Sequence, residues 1–253
     1  MFTCAHRCNA ACWFRVVLPG WHTYQMILAV TGLAREARTI SRPRLAVAVG
    51  GGDSRALRLR IEQAVDSGAR RIISIGICGA LDPSLAVGDC IVATEIVTED
   101  ECLVTHSSWT RELLARIPAA QPAALVGTDT ILEDGAAKIR LHRATKAAAV
   151  DMESHIAAKV AKERGLPFAA VRVVSDSAER ALPPAALVGM SKSGGVDIGA
   201  VFRSLLAKPE QIPSLIRTAW EAEKAFRVLF HCRHVLDPLL APADLGELSL
   251  DVG

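Results

Sequence analysis

The stretch AAAVDMESHIAAKVAKERGLPFAAVRVVS, residues 147–175, contains the strand–helix–strand pattern that decides the fold. AAAVD (147–151) is a short apolar strand, ESHIAAKVAKERG is an amphipathic helix, and PFAAVRVVS (167–175) is a long apolar strand. Two apolar strands joined by a helix predict a parallel sheet that helices cover. Asp151 and Glu153 stand inside this apolar pattern, where an unpaired charge is costly, so we expect them to have binding partners.

The same alternation runs through the chain from Met26 onward. Further strands are predicted at 27–31, 45–49, 71–76, 90–97 and 123–128, and helices near 54–68, 109–116 and 134–141. Two longer helices are predicted in the C-terminal third, where Asp197 is placed to cap the first of them. The pattern indicates a mostly parallel sheet with helices on both faces.

The domain organisation predicted from this pattern is simple. A single domain is expected over 26–240, with a poorly ordered extension at 1–25 and a flexible tail at 241–253. Potential metal ligands are Cys4, Cys8 and Cys12 in the extension and His231, Cys232 and His234 near the C-terminus. The first group has no fourth ligand at zinc-like spacing, and packing or surface roles fit the second group better. We therefore predict no metal site.

Composition narrows the possible function classes. The chain has 253 residues, of which 51% are hydrophobic, so it can bury a substantial core. Its 29 Lys+Arg and 27 Asp+Glu are nearly balanced, which gives no argument for nucleic-acid binding. No apolar run reaches the roughly 18–20 residues of a membrane span. Single cysteines scattered through apolar stretches predict reduced thiols and a cytoplasmic protein.

Four polar or glycine-rich segments directly follow apolar strands. They are TGLARE (31–36), GICGAL (76–81), VDMES (150–154) and VSDSAE (174–179). In open α/β sheets, ligands bind beyond the carboxyl ends of the strands, where such segments lie. The four segments together therefore predict one binding site.

The first segment is a candidate anion site. Gly32 follows the first strand, and Arg35 and Arg38 stand just behind it. A tight glycine turn with exposed N–H groups and an arginine can hold a phosphate, and an ordinary strand-to-helix turn with solvated arginines fits equally well. GGGD (50–53) lacks the Lys-Ser/Thr of a Walker motif, and GICGAL lacks the full GxGxxG spacing, which argues against dinucleotide binding.

The last two segments each place a carboxylate at the predicted site. Glu153, at the start of a helix, can accept two hydrogen bonds from a vicinal diol such as that of ribose, with Met152 against the sugar. The alternative is a glutamate that caps only backbone N–H groups. Asp176 follows a strongly apolar strand, where partial burial suits a carboxyl group to donate a proton; a turn-forming aspartate is the alternative.

GICGAL with the following VGDCIVA, then VDMES, then VRVVSDSAE, resembles the nucleoside phosphorylase/nucleosidase superfamily over residues 27 to about 180. The resemblance implies a three-layer α/β/α fold of the phosphorylase/hydrolase type, with a central mixed, mostly parallel twisted sheet. It implies that Glu153 holds the ribose diol and that Asp176, supported by Ser175, protonates or hydrogen-bonds N7 of the departing purine. The other expected substrate contacts are Met152, Val150, Cys78 and Gly79.

The side of the site opposite the purine decides between phosphorolysis and hydrolysis. Methylthioadenosine/S-adenosylhomocysteine nucleosidases have a run of acidic residues after the first glycine turn, one of which activates water. Here GLAREAR retains Glu36, with Arg35 and Arg38 beside it. We therefore predict phosphorolysis that releases adenine and a ribose 1-phosphate product. Gly32, Arg35 and Arg38 would bind inorganic phosphate as co-substrate, and no cofactor is predicted. A nucleosidase that uses water is the first alternative, and a non-catalytic nucleoside-binding protein is the second.

TGLAREAR, GGGD, SIGICGALDPSLAVGD and SGGVDIGAVFRSLL are most similar to the hopanoid-associated phosphorylases, which are implied to cleave adenine from adenosylhopane. This similarity implies a purine nucleoside that carries a hopanoid-linked lipid at C5′, peripheral membrane contact and a homo-oligomer. Candidates for an apolar mouth are Val201, Phe202, Leu205, Leu206, Ile212, Leu215, Ile216 and Trp220. The alternative is that these residues cover the sheet or form a subunit interface.

Overall fold

The structure is a computed structural model that describes residues 26–42, 45–117, 119–132, 134–188, 195 and 197–236. The strands are β1 (Met26–Thr31), β2 (Leu45–Val49), β3 (Ala69–Ala80), β4 (Cys90–Val97), β5 (Cys102–Val104), β6 (Ala120–Gly127), β7 (Ala149–Asp151) and β8 (Phe168–Asp176). The helices are α1 (Ala34–Ile40), α2 (Ser54–Asp66), α3 (Ser107–Arg116), α4 (Gly135–Thr145), α5 (Ser154–Glu163), α6 (Pro184–Val188), α7 (Ile198–Ala207) and α8 (Ile212–Cys232). The predicted N-terminal extension and tail lie outside the described residues.

The sheet is mixed, with parallel and antiparallel neighbours. β1 pairs in parallel with β2 and with β3, and β3 pairs in parallel with β8. β4 pairs in parallel with β6 and antiparallel with β5 and β8. β7 pairs in parallel with β6 and antiparallel with the end of β3. The strands β3, β8, β4, β6 and β7 therefore form a closed ring, from which β1 and β2 extend as an open edge.

Helices cover the sheet on both faces, as the sequence predicted. On one face, α2 contributes Leu57 and Ile61, and α5 contributes Val160, to a core cluster with the strands. On the other face, Trp109 of α3 and Phe226 of α8 pack in a second cluster. This arrangement is the expected α/β/α layering, and burying apolar faces in this way is what stabilises a twisted sheet between helices.

The predicted elements are confirmed, with one correction in β3. We expected that strand to end at Gly76 and the GICGAL segment to form a loop, but β3 continues to Ala80. The segment pairs with β8 along one edge and, from Gly79, with β7 along the other. The glycines misled the prediction because glycine weakens a strand, but it also marks close approach of neighbouring groups.

The C-terminal third contains the two long helices that the sequence predicted. α7 begins after Asp197, whose carboxylate accepts a hydrogen bond from the Ala200 N–H at 2.9 Å and caps the helix. α8 packs against β8 and completes the second core cluster. Among the described residues, no helix is both long and apolar enough to cross a membrane.

Candidate functional site

A cavity of about 240 Å³ opens where β1, β3, β7 and β8 approach one another. All four segments that the sequence singled out contribute to its lining. The lining residues from these segments are Gly32, Leu33, Glu36, Ile77, Cys78, Gly79, Val150, Asp151, Met152, Glu153, Ser175 and Asp176. The remaining wall comes from the turn after β2, the segment after β6, α4 and the C-terminal third, with Gly51, Gly52, Thr130, Ile131, Leu132, Lys138, Leu182, Ala186, Thr218 and Ala222.

Arg172, in the middle of β8, is fully buried and binds the acidic side chains of the β7–α5 turn. Its Nη2 donates to Asp151 Oδ2 and, at 2.6 Å, to Ser74 Oγ, and it lies 3.6 Å from Glu153 Oε2. Asp151 Oδ2 also accepts from the Ser154 N–H at 2.9 Å, so Asp151 caps α5. Glu153 stands at the N-cap position but its side chain makes no capping hydrogen bond. Its carboxyl group therefore faces the cavity instead.

The carboxyl group of Glu153 is unusually easy to protonate. Burial raises the pKa of Glu153 to about 8, and the nearby carboxylates of Asp151 and Glu36 add to this effect while Arg172 opposes it. This shift favours the neutral carboxyl group of Glu153. A neutral carboxyl group can donate one hydrogen bond and accept others, which matches two adjacent hydroxyl groups.

The backbone of the β1–α1 turn approaches Glu153 closely at Gly32. A methyl group at Gly32 would lie 2.6 Å from Glu153 Oε1 and 2.9 Å from its carboxyl carbon. Real side-chain atoms do not tolerate this separation, so a larger residue at Gly32 would displace Glu153. Glycine is required here for space, which adds to the sequence argument for a tight turn.

Glu36, in the first turn of α1, is a second buried carboxyl group on the cavity wall. It accepts hydrogen bonds from the N–H groups of Gly32 (2.8 Å), Leu33 (2.7 Å) and Ile77 (2.7 Å). Burial raises the pKa of Glu36, and Arg172 and the three N–H groups partly offset that rise. The side chain is thus fixed in place by backbone donors and is more basic than an exposed glutamate.

Asp176, at the end of β8, is the third acidic group on the wall. Its Oδ2 contacts the Lys138 ammonium group, and its Oδ1 lies 2.9 Å from Ser175 Oγ. Ser175 Oγ also lies 3.1 Å from the Cys78 carbonyl oxygen. The Cys78 thiol lies beside these groups. Burial raises its pKa well above the usual range, so the thiol stays neutral.

The family comparison agrees with this arrangement. A family model described as the phosphorylase superfamily matches residues 14–107 and 105–193. The chain belongs to the phosphorylase superfamily. All four cavity-lining segments from the sequence lie within the matched residues. The superfamily predicted from GICGAL with VGDCIVA, VDMES and VRVVSDSAE is therefore confirmed.

One curated relative is a 5′-methylthioadenosine/S-adenosylhomocysteine nucleosidase from Baumannia cicadellinicola subsp. Homalodisca coagulata. Its sequence is 29% identical to that of the present chain over 134 residues. The match covers 44% of this chain and 58% of the relative's length. The likeness therefore concerns part of each protein.

Solved structures of the superfamily share the fold. The 5′-methylthioadenosine/S-adenosylhomocysteine nucleosidase of Helicobacter pylori, with 5′-methylthioadenosine in its active site, aligns with a TM-score of 0.58 and 17% identity, covering 85% of this chain and 99% of that one. The native futalosine hydrolase of the same organism aligns with a TM-score of 0.57 and 17% identity, covering 86% and 100%. At this identity the two structures support the fold of this superfamily member.

The structure brings most of the predicted site residues together. Gly32, Cys78, Gly79, Val150, Met152, Glu153, Ser175 and Asp176 all line the cavity. Their individual roles toward a substrate stay predictions. Asp151, which the sequence marked as a charge in need of a partner, is explained by its ion pair with Arg172 and by its capping of α5.

The two arginines expected to bind phosphate are not among the described residues that line the cavity. Arg35 donates to Glu223 Oε2 at 2.5 Å, and its guanidinium group lies 4.1 Å from the centre of the Phe226 ring. These contacts hold Arg35 against α8, away from the cavity. Helix geometry explains this, because Arg35 and Glu36 are consecutive and project about 100° apart around α1. Phosphate binding by Arg35 and Arg38 stays a prediction that the placement of Arg35 does not favour.

Three buried charged residues at or beside the cavity escaped the sequence reasoning or were undervalued by it. Arg172 was treated as part of an apolar strand, although a charged residue in the middle of PFAAVRVVS signals a buried ion pair. Glu36 was considered only for the less favoured alternative, a nucleosidase that uses water. Lys138 was overlooked, because nothing in the pattern of α4 distinguishes its one inward-facing lysine from a solvated one.

The possible metal ligands near the C-terminus are not arranged around a common point. The Cys232 sulfur is buried 3.9 Å from that of Cys90 in the second core cluster. His231 is exposed, and its Nδ1 contacts the Arg227 carbonyl oxygen in the preceding turn of α8. No group of three His, Cys, Asp or Glu side chains among the described residues is placed to hold a metal ion.

Proposed function

We propose that the protein cleaves the N-glycosidic bond of a purine nucleoside by hydrolysis, with adenine as the leaving base. The observation that carries the proposal is the placement of Glu36, Glu153 and Asp176 around one cavity. Cleavage of this bond passes through an oxocarbenium-like state. It requires a held sugar, a stabilised leaving base and a nucleophile at C1′, and each carboxyl group serves one of these needs.

Glu153 binds the ribose diol in this proposal. Its side chain makes no capping hydrogen bond, and burial raises its pKa, which favours the neutral carboxyl group. It can therefore accept from one hydroxyl and donate to the other, and Met152 offers an adaptable apolar surface to the sugar. The nearby Arg172 stabilises the ionised form if the diol donates twice.

Asp176 interacts with the purine at the other end of the cavity. The Ser175 hydroxyl group holds the Asp176 side chain at the wall, where Gly79 leaves space for a flat ring. A proton or a hydrogen bond at N7 stabilises the electron pair that the base gains when the bond to C1′ breaks. General acid assistance of this kind contributes typically about 10²–10⁴-fold to a rate.

Glu36 favours water as the nucleophile. A buried carboxylate of raised pKa can accept a proton from water, and its three backbone donors hold it in one orientation. Phosphate is disfavoured, because an anion placed beside the Glu36 carboxylate would be repelled. Arg35 is paired with Glu223, and neither Arg35 nor Arg172 is among the described residues that line the cavity, so neither places a guanidinium group against a phosphate there. Phosphorolysis, which we predicted from Arg35 and Arg38, is thus the alternative.

An apolar 5′ substituent fits the wall formed by the C-terminal third. That wall includes Leu182, Ala186 and Ala222. The exposed apolar residues of α8 lie elsewhere: Ile216 and Trp220 project from the side of the helix opposite to Thr218 and Ala222. They therefore suit a contact with a membrane or a second subunit better than a contact with the substrate. We propose that the substrate is an adenosine with an apolar 5′ group. A hopanoid-linked lipid would be a very large group of this kind.

A direct test measures adenine release from 5′-alkylthioadenosines that carry short and long alkyl chains. The wild-type protein is compared with Glu36→Gln and with Glu99→Gln, an exposed glutamate outside the cavity that serves as the matched control. Loss of a positioned base predicts a fall of about 10²–10⁴-fold in kcat for Glu36→Gln and none for the control. Full activity of Glu36→Gln would remove Glu36 from the mechanism. No adenine release by the wild type would refute the proposed function.

A further inference from the structure

Lys138 of α4 is the buried cation on the cavity wall, and its contacts fix it as a charged ammonium group. Its side chain is only 1% exposed. Its Nζ contacts Asp176 Oδ2 and lies 3.1 Å from the Ser177 carbonyl oxygen and 3.3 Å from the Arg180 carbonyl oxygen. An ammonium group has three N–H donors, and each has an acceptor here. A buried amine with three acceptors, one of them a carboxylate, is a well-stabilised cation.

The position of Lys138 is set by the start of α4. The Asp134 carboxylate accepts from the Ala137 N–H at 2.6 Å and caps the helix. Gly135 lies against the Glu179 backbone with no room for a methyl group. The first turn of α4 is therefore fixed to the segment that follows β8, and Lys138 meets Asp176 without having to move.

The contacts of Asp176 leave it without a proton to give. Lys138 donates to its Oδ2, and the two side chains form a buried ion pair. A carboxyl group paired in this way with an ammonium group is a carboxylate. The proposed function places a proton or a hydrogen bond at N7 of the departing purine. A proton that Asp176 delivers to N7 must therefore come from another group.

We propose that Lys138 supplies this proton, with Asp176 as the group that passes it to the purine. This inference rests on the proposed glycosidic cleavage. A Nζ–H bond of Lys138 breaks first, and its proton joins the Asp176 carboxylate as a new O–H bond. As the C1′–N9 bond breaks, its electron pair moves into the purine, the Asp176 O–H bond breaks and its proton joins N7, which returns Asp176 to the carboxylate. Lys138 is left as a neutral amine and recovers a proton from water after adenine leaves.

A lysine is suited to this step and an arginine is not. Both side chains can hold a carboxylate by charge, but an arginine side chain does not lose its proton in proteins. Lys138→Arg therefore separates a charge that merely orients Asp176 from a proton source. Lys138→Met removes both, and Lys162→Met, on the exposed surface of α5, is the matched control.

The experiment compares two leaving groups for each variant. A 5′-alkylthioadenosine needs a proton on its base, whereas a 4-nitrophenyl riboside releases a stable anion without one. We expect kcat for the adenine nucleoside to fall about 100-fold or more in Lys138→Met and Lys138→Arg. With the nitrophenyl riboside, we expect both variants to stay within about threefold of the wild type. The Lys162→Met control should keep both activities.

A binding measurement distinguishes a loss of ligand binding from a loss of proton transfer. A 9-deazaadenine C-nucleoside carries N7–H and cannot be cleaved, so its Kd reports on the site without any proton supply. We expect the Kd in Lys138→Arg to stay within about threefold of the wild-type value. A Kd that weakens as much as kcat falls, or an adenine-nucleoside rate in Lys138→Arg equal to that of the wild type, would overturn the proton-supply role. Absence of adenine release by the wild type would instead refute the proposed function itself.

Discussion

Replacement of Glu153 by glutamine should change how the stability of the protein depends on pH. Burial raises the pKa of Glu153 from 4.5 to about 8 in the folded chain. A group with a raised folded pKa contributes stability that is fully present below the unfolded pKa and is lost as the pH rises through the folded value. The wild-type protein should therefore lose stability between pH 4.5 and pH 8, where the unfolded chain releases the proton and the folded chain retains it.

The magnitude follows from the same pKa. Between the unfolded and folded values, each pH unit costs about 1.4 kcal/mol of unfolding free energy. From near pH 6 to near pH 9, the contribution of Glu153 is a loss of about 3 kcal/mol, as an upper limit for a group so close to other charges. Glu153→Gln has no proton to release and should lack this loss, since its amide keeps most of the shape of the neutral carboxyl group.

The assay is urea unfolding of wild type and Glu153→Gln at both pH values, with Glu99→Gln as an exposed control. We expect wild type and Glu99→Gln to lose stability in parallel as the pH rises. Glu153→Gln should lose less by roughly 2–3 kcal/mol. If the three proteins show the same pH dependence, Glu153 is ionised in the folded state at neutral pH, and the argument from a neutral carboxyl group fails.

Three further predictions concern the same cavity. Asp176→Asn should lower kcat for an adenine nucleoside by about 10²–10⁴-fold while the Kd of a 9-deazaadenine C-nucleoside changes much less; unchanged turnover would exclude Asp176 from leaving-group activation. Gly32→Ala places a methyl group 2.6 Å from Glu153 Oε1 and should weaken nucleoside binding by calorimetry, whereas Gly199→Ala, in α7 and outside the cavity, should leave binding unchanged. Arg172→Met leaves Asp151 buried without its cation and should destabilise the fold by about 3–5 kcal/mol in urea unfolding; a smaller loss would mean that water reaches Asp151.

Much of the fold could be predicted because local pattern and tertiary structure agree. The apolar strands and amphipathic helices from 26 to 176 occur where periodicity placed them, and Asp197 caps α7 as its position indicated. β3 was predicted too short because Gly76 and Gly79 look like loop residues. In the structure they are strand residues, and a methyl group at Gly76 would overlap Arg172 Nη1 and Glu36 Oε1. Glycine is present at these positions because side chains from other segments leave little room for a larger residue. The local sequence pattern does not show such long-range contacts.

The candidate site, like the fold, could be predicted from the sequence only in part. Residues that follow strands were predicted, and Glu153 after β7 and Asp176 at the end of β8 both line the cavity. The rule that parallel strands end at a common edge does not explain this pair, because β8 runs parallel to β3 and β7 runs antiparallel to it. The direction of a side chain on a helix was harder to predict. Glu36 and Arg35 are neighbours in sequence, yet one faces the cavity and the other contacts Glu223. Lys138 depends on the packing of α4 against the segment after β8, a contact between residues about 40 apart in the sequence.

The most direct test of the account identifies the sugar product. Wild-type protein is incubated with a 5′-alkylthioadenosine, with and without inorganic phosphate, and adenine and the sugar product are quantified together. The account predicts adenine release at the same rate in both conditions, with the free 5′-alkylthioribose as product, because Glu36 activates water. Adenine release that requires phosphate and yields a ribose 1-phosphate derivative would contradict the role of Glu36 and support the phosphorolysis predicted from Arg35 and Arg38.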